Sequence, residues 1–334
     1  MATIKDIAAR LGISVSAVSK GLNGANDISE ELRQQVLDTA IEMGYTPKRI
    51  RKESRRKLCV LIKNMDYTNP DEFAYDIVLG FRQSAIKQKW DIQAYTVTEE
   101  MQQEEKYDSF LLRNGYLGAL LVGFSFSDTW IKQLQTTTTP SVLFDNTIRN
   151  NPNVCYIGSD SFEGIQLAID HLYALGHRNI AFLNGNKDTM VASQRQDAYK
   201  KSMESYELPT PDTLTAYGEY TTTTAKDYVE GFLNAGATAI LCGNDLIASG
   251  VISECNRLGF RVPEDVSVIG FDDLPISMQT NPPLTTIRQE RSELGRFAYD
   301  SLNGLIHHIR ISRILLRPEL IERKSTGPVR KDAK

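Results

Sequence analysis

No apolar run in the 334 residues approaches the ~18 that a membrane span needs, so no membrane partner is expected. The first residues, MATIKDIAARLG, are polar and carry no apolar stretch, so they are not expected to be a secretory signal. Cysteine is scarce. Cys59, Cys155, Cys242 and Cys255 are widely spaced, form no C-x-x-C, and three sit in apolar stretches (LCVLI, NVCYI, AILCGN). That pattern reads as buried, reduced thiols of a cytoplasmic protein rather than as zinc or disulfide sites. Enzymatic signatures are missing too. There is no G-x-G-x-x-G after a strand, no phosphate-binding Walker loop and no G-x-S-x-G. His171 and His177 are six apart, where a metal pair on one helix face needs four, and His307 and His308 are adjacent. Asp272 and Asp273 are adjacent carboxylates at the end of an apolar run; neighbours there point in different directions, so one of them is expected to be structural. No catalytic residue, metal or cofactor is expected.

What is present is a folded chain, 41% hydrophobic and 24% charged, long enough for two or three domains. The net charge of −4 hides an asymmetry: residues 1–57 hold 11 Lys/Arg against 7 Asp/Glu, and 48–57 (KRIRKESRRK) hold 7 basic residues and 1 acidic. A basic head on an acidic body suggests a polyanion-binding module attached to something else.

Three short helices are legible in the head. Thr3 can cap a helix from Ile4, with Ile4, Ile7, Ala8 and Leu11 on one face and Gly12 at its end. A tight turn leads to a second helix from about Ser14 to Leu22, stopped by Asn23-Gly24. Ser29 caps a third, with Glu30 and Glu31 in its first turn and Leu32, Val36, Leu37, Ala40 and Ile41 as its apolar stripe. This is a helix-turn-helix pattern, in which the second helix enters the major groove. Its exposed face is small (Ser14, Val15, Ser16, Ser19), which suits close approach to DNA, and Lys20 adds a cation.

TIKDIAARLGISVSAVSKGLNG followed by ISEELRQQVLDTAIEMGYTP resembles, nearly position for position, the DNA-binding head of the lactose-repressor/galactose-repressor (LacI/GalR) family. The resemblance implies that Val15, Ser16 and Lys20 read bases and that Thr3, Ser14, Ser19 and Asn23 hold the phosphate backbone. The hinge that follows in that family wedges a leucine into the minor groove. Here the wedge position reads Ser54 among Arg51, Lys52, Arg55, Arg56 and Lys57, so phosphate neutralisation by Arg55 and Arg56 replaces insertion.

Beyond the head, apolar runs at 58–63, 91–97, 118–123, 141–145, 154–158, 179–184, 238–243 and 266–271 alternate with amphipathic stretches such as 73–88, 161–175, 190–205 and 244–258. That alternation predicts parallel sheet, and the strand count is too high for one comfortable sheet, so two α/β lobes are expected. NPDEFAYDIVLGFRQSA, HLYALGHRNIAFLNG, VPEDVSVIGFDDLPIS and NPPLTTIRQ extend the family resemblance to about residue 327. It implies an N-terminal all-α helix-turn-helix head plus an α/β two-lobed core resembling periplasmic sugar-binding proteins, with ligand in the cleft. The expected organisation is a head at 1–47, a basic hinge at 48–57, and a core at 58–328 with crossings near 154–159, 284–290 and 315–319. Lobe one would hold about 58–155 and 288–316, lobe two about 156–287 and 317–328, with 329–334 as a tail.

Residue by residue, the resemblance places effector contacts at Arg195 in SQRQDAY, Asn244 in GND, Asp272 in GFDD, and the aromatics Phe73 and Tyr220. Asp145, after SVLFD, is a further candidate, because ligands of open α/β lobes sit beyond the carboxyl ends of strands. Alternative readings are helix-surface arginine for Arg195, strand-end capping for Asn244 and Asp272, and core packing for Phe73 and Tyr220. Aromatic faces beside carboxylate, amide and guanidinium suit a polyhydroxylated ring, so the expected effector is a sugar, with a nucleobase second. The expected function is ligand-responsive, sequence-specific repression of carbohydrate-metabolism genes, by a homodimer on double-stranded operator DNA. A regulator with a protein co-effector, a solute-binding protein and a sugar enzyme are the competing readings. No leucine-heptad tail follows Lys324, so a tail-mediated tetramer is not expected.

Overall fold

The structure is a computed structural model that describes residues 2–23, 25, 27–45 and 56–330. The head contains α1 (Ile4–Leu11), α2 (Val15–Asn23) and α3 (Glu30–Glu42). Each start is capped by a side chain. The Asp6 carboxylate accepts the Thr3 N–H at 2.7 Å while Thr3 Oγ1 accepts from the Asp6 N–H at 3.3 Å, a reciprocal capping box. Ser14 Oγ accepts from the Ala17 N–H at 3.1 Å, and Ser29 Oγ from the Leu32 N–H at 3.2 Å. Gly12 ends α1 in the left-handed region, at φ 65°. Ile7, Ala8, Val18, Val36, Ala40 and Tyr45 form the head's buried core. At about 1.5–3 kcal/mol per fully buried large side chain, this small cluster stabilises the head only modestly. Gly21 lets α2 approach α3 closely: a Cβ there would lie 3.0 Å from Val36.

The chain forms two compact units: Met1–Met65, Val78–Ile157 and Gly295–Ile314 make the first; Asp66–Ile77, Gly158–Leu294 and Leu315–Lys334 make the second. Unit one contains β1 (Arg56–Ile62), most of α4 (Phe73–Lys87), β2 (Trp90–Thr96), α5 (Glu99–Glu104), α6 (Tyr107–Asn114), β3 (Ala119–Val122), α7 (Thr129–Gln133) and β4 (Ser141–Phe144). β5 (Val154–Ser159) closes this run of strands. α8 (Ser161–Ala174), β6 (Ile180–Asn184), α9 (Met190–Ser205), β7 (Thr215–Tyr217), a 3₁₀ turn at Thr222–Asp227, α10 (Val229–Asn234), β8 (Ala239–Cys242) and α11 (Asp245–Arg257) follow in unit two. β9 (Ser267–Asp272), α12 (Ile276–Gln279) and β10 (Thr285–Arg288) complete its forward path. α13 (Arg291–Ile306) and β11 (Arg313–Leu316) lead back through unit one, and β12 (Glu319–Ile321) ends in unit two.

Each unit has one six-stranded sheet, ordered β11-β5-β4-β3-β1-β2 and β12-β10-β9-β8-β6-β7. Neighbours from β5 through β2 and from β10 through β7 run parallel, and β12 is antiparallel to β10. All carboxyl ends of β7, β6, β8, β9 and β10 therefore lie along one edge of the second sheet. Strands such as ALLV, SVLF and AILC are buried along their whole length, as parallel strands covered on both faces should be.

β1 begins at Arg56, two residues before the apolar run, and draws the last two residues assigned to the hinge into the sheet. The short strands β7, β10, β11 and β12 lack the apolar runs that mark the others. The histidine pair near the end of α8 is structural. His177 is buried and bonds Thr238, Ser267 and the Gly327 carbonyl at 3.0 Å each, which pins the C-terminal strand-end segment. His171 bonds Thr326 at 2.9 Å. Burial holds both imidazoles below their usual pKa.

Candidate functional site

The DNA-reading candidates all lie on the head. Ser14, Val15, Ser16 and Lys20 are exposed, and Val15 shows 46% of its surface, unusual for a β-branched apolar residue at a helix start. Thr3 and Ser14 both cap helices, which fixes their side chains at the amino ends of α1 and α2. Asn23 is exposed and folds back along its own helix: its Nδ2 donates to the Ser19 carbonyl at 2.7 Å and reaches Ser19 Oγ at 3.3 Å. Lys20 is not a lone cation; it pairs with Asp27 in the turn before α3, and this bond holds the Asp27 carboxyl below its usual pKa. The sequence reading missed that partner. Arg56 opens β1, its guanidinium 5.5 Å from the Trp90 ring centroid, so part of its charge is held against the core. Arg55 and Ser54 lie outside the described residues.

The effector candidates of unit two converge at the carboxyl ends of its strands. Arg195 projects from α9 and is buried, with its guanidinium 3.7 Å from the Phe271 ring centroid, 3.7 Å from Asp272, and donating to the Gly243 carbonyl. Its Nε finds no acceptor among the described residues. A buried donor left open in this way is costly unless something else supplies an oxygen. Asp272, the last residue of β9, is buried, sits at φ 111°, and accepts from Gln289 Nε2 at 2.6 Å. Burial pushes its carboxyl up to about 6, against the pull of Arg195 and Gln289. Asp273 turns away. It accepts from Arg288 Nε at 2.8 Å, from Arg323 at 2.6 Å and from Ser277 at 3.1 Å, and its role is structural.

Asn244 follows β8 and caps α11: its Oδ1 accepts from the Ile247 N–H at 2.9 Å. One lone pair of its oxygen is thus committed to the helix, which leaves the second lone pair and the amide nitrogen for a ligand. Tyr220 follows β7 and is half-buried, its ring laid over the Gly185 backbone, where any Cβ would overlap it. In unit one, Asp145 follows β4 at φ 49° and is half-buried. Phe73 is the first residue of α4, half-buried, in the portion that clusters with unit two.

Three residues absent from the sequence reading support this site. Asp245 is fully buried and accepts from the Leu274 N–H at 2.7 Å and from Thr286 Oγ1; burial pushes its carboxyl well above the usual range. Gln289 holds Asp272. Arg291 donates to the carbonyls of Asp272 at 3.3 Å and Asp273 at 3.4 Å and is itself held by Asp76 at 2.8 Å. It therefore clamps the backbone at two residues in the left-handed region. The signal for Gln289 and Arg291 was in NPPLTTIRQ and its flank, but partners 17–19 residues apart and more are not visible in spacing.

Arg195, Phe271, Asp272 and Gln289 thus form a buried polar and aromatic cluster with one open donor. It can orient hydroxyl or carbonyl oxygens. Nothing in it supplies a nucleophile with an activating base, and no group of His, Cys, Asp and Glu able to hold a metal occurs among the described residues.

Residues 3–48 match the family described as bacterial regulatory proteins, lacI family, and residues 169–326 match a periplasmic binding protein-like domain. The chain is 29% identical to the HTH-type transcriptional repressor PurR of Haemophilus influenzae, over 98% of this chain and 100% of that one. Among solved structures, the transcriptional regulator CelR in complex with cellobiose superposes with a TM-score of 0.73 at 24% identity, over 97% of this chain and 100% of that one. The lac repressor dimer bound to operator and the anti-inducer ONPF gives 0.70 at 24% identity, over 98% and 99%. No described helix is long and apolar enough to cross a membrane. A capped three-helix head that matches the lacI family, a core that matches a periplasmic binding protein-like domain, and similarity to a transcriptional repressor over nearly the whole length identify the chain as a DNA-binding transcriptional regulator of the lacI family.

Proposed function

We propose that the chain is a repressor whose operator affinity is changed by a small polyhydroxylated molecule, a sugar, held at the carboxyl edge of the second sheet. The observation that carries this is the buried Arg195–Asp272 pair with an unfilled Arg195 Nε. Arg195 offers a forked donor, Asp272 accepts from hydroxyls, and Tyr220 and Phe73 offer aromatic faces to C–H surfaces. Asn244 contributes its side-chain amide. A solved relative of the same fold holding cellobiose supports the sugar reading. On the DNA side, Val15, Ser16 and Lys20 read bases, Thr3, Ser14, Ser19 and Asn23 meet phosphates, and Arg55 and Arg56 add charge. Two copies of the chain on a pseudo-palindromic operator match the two-fold logic of such heads.

The flat Arg195–Phe271 stack also suits a planar base, so a nucleobase is the second reading. Calorimetric titration against a panel of mono- and disaccharides and free nucleobases separates the two. A sugar that binds, and whose binding alters retention of genomic DNA fragments on filters, is expected. Binding only by a nucleobase overturns the sugar assignment. Arg195→Ala should weaken effector binding by about 2–5 kcal/mol and leave DNA retention nearly intact. An unchanged response in that variant would remove the cluster from the effector site.

A further inference from the structure

The head and the core of unit one meet directly. On α3, Gln34 and Asp38 are four residues apart and share a face that is not the head's core stripe. On the core, Lys106 stands just before α6, with Ser109 and Leu112 following at three-residue intervals along one side. Lys106 Nζ donates to both Asp38 oxygens, at 2.9 and 3.0 Å. Gln34 Nε2 donates to Asp38 at 2.9 Å and reaches Ser109 Oγ at 3.4 Å. Leu112 packs against the head's apolar cluster. An ion pair, an amide bridge and an apolar contact thus coincide on one helix pair.

We propose that the reading head is docked on its own core through α3 and α6, and that this contact sets the direction in which α2 is presented to DNA. The inference rests on the reading of α2 as the DNA-reading helix given above. None of Val15, Ser16 and Lys20 takes part in the contact, so a docked head keeps its reading face open. The contact therefore orients the head and does not block it. Docking suits a chain whose hinge lacks the apolar wedge, because an inserted side chain cannot then position the heads on DNA.

The platform under the head is tied into the core of unit one. Tyr107, Phe110 and Leu111 of α6 are buried in the core of unit one. The Tyr107 N–H donates to Gln133 Oε1 at 2.7 Å, and Trp130 Nε1 donates to the Glu105 carbonyl at 2.8 Å. Asp108 accepts from Thr137 and Thr139 at 2.5 and 2.7 Å, which gives the threonine run at 136–139 a role. α7, which carries Trp130 and Gln133, is preceded by Asp128, and Asp128 holds Lys63 at the carboxyl end of β1. A shift of the loop after β3 would reach α6, and through it the head.

Two measurements test this on the full chain. Carbodiimide treatment joins a carboxylate to an amine only when the two already touch. In a mixture of ¹⁴N and ¹⁵N chains, the expected product is an Asp38–Lys106 linked peptide of single isotope label. The Lys20–Asp27 link within the head is the internal control. If the control forms and Asp38–Lys106 does not, or if that peptide carries mixed labels, the in-chain dock is wrong. The second measurement uses the duplex that the parent chain selects from a random-sequence pool. Lys106→Glu should weaken binding to it by about 2- to 5-fold, the range of a partly exposed ion pair. Asp38→Lys combined with Lys106→Glu should restore it. An unchanged affinity in Lys106→Glu, or failure of the paired reversal to recover it, overturns the orienting role. A parent chain that selects no duplex would count against the DNA-binding function itself, and the isotope arm would still decide the dock.

Discussion

Arg195→Ala should destabilise the chain by an amount that grows with pH. Asp272 titrates at about 6 in the folded chain because burial raises it. Unfolded, it returns to about 3.9. A carboxyl raised on folding contributes stability that is present below the unfolded value and lost as pH climbs through the folded one. In the parent chain that loss ends near pH 6, because Arg195 helps the carboxylate form there. Without Arg195 the folded value rises further, and the loss continues above pH 6. The extra cost is bounded, since the group can protonate instead of ionising unpaired. Each pH unit above 6 is worth about 1.4 kcal/mol, so the bound is ~1.4 kcal/mol at pH 7, ~2.7 at pH 8 and near zero at pH 5. A pH-independent part adds to it: the hydrogen bond to the Gly243 carbonyl, about 1.5–3 kcal/mol for a charged donor, and the desolvated Phe271 contact, about 2 kcal/mol. Urea unfolding of parent and variant at pH 5, 6, 7 and 8 measures the difference. It should widen from pH 5 to 8 by up to about 2.7 kcal/mol, and Asp272→Asn in the same background should make it flat. A difference that stays constant over that range would refute the coupling of these two side chains.

Lys20→Gln should lower the slope of log affinity for operator against log salt by about 0.9 if Lys20 displaces one counterion, while Asp27→Asn should tighten binding a few-fold by releasing Lys20 from its partner; gel-shift titration over a salt series reads both. In α11, a Cβ at Gly250 would overlap the Thr222 carbonyl oxygen, so Gly250→Ala should cost about 1–3 kcal/mol by calorimetry, and an unchanged melting temperature would show that the 3₁₀ turn yields freely. Ser54→Ala should alter operator affinity by less than about 1 kcal/mol; a larger loss would mean that the hinge inserts into DNA despite its missing leucine.

The long elements were legible because their apolar patterns are strong. IAFLN, AILC and SVIGFD are continuous buried runs, and α9 occupies the stretch 190–205 that its pattern marks. β10 was not legible as a strand. Its Thr285 and Thr286 look polar in sequence, yet both are fully buried, bonded to Ser325 and to Asp245. A hydroxyl satisfied by a residue 41 positions away, as that of Thr286 is by Asp245, leaves no local trace. Arg195 and Asp272 were recognisable through family phrases, whereas Gln289 and Arg291, which hold Asp272 in place, were not. Asn244 was recognised as a polar residue at a strand end, but the same spacing that suits a ligand contact also suits a helix cap, and the cap takes one lone pair of its oxygen. Lys63 and Asp128 are 65 residues apart, and only folding brings them together.

The four thiols give the chain a built-in clock for its own opening. All are buried, and burial raises each of them, to about 11 for Cys155, to about 12 for Cys255, and well above the usual thiol range for Cys59 and Cys242. Two belong to unit one and two to unit two. A bulky aromatic disulfide added to the native chain can react only with molecules whose core has opened around the thiol. The time course of thiol modification, resolved by peptide, would therefore report separately how often each half of the regulator exposes its interior. Holding the chain with operator duplex or with effector would then show which half each of them steadies. A single cysteine placed on the surface, at Lys87 for example, would react so much faster that it could carry a label without background from the native four.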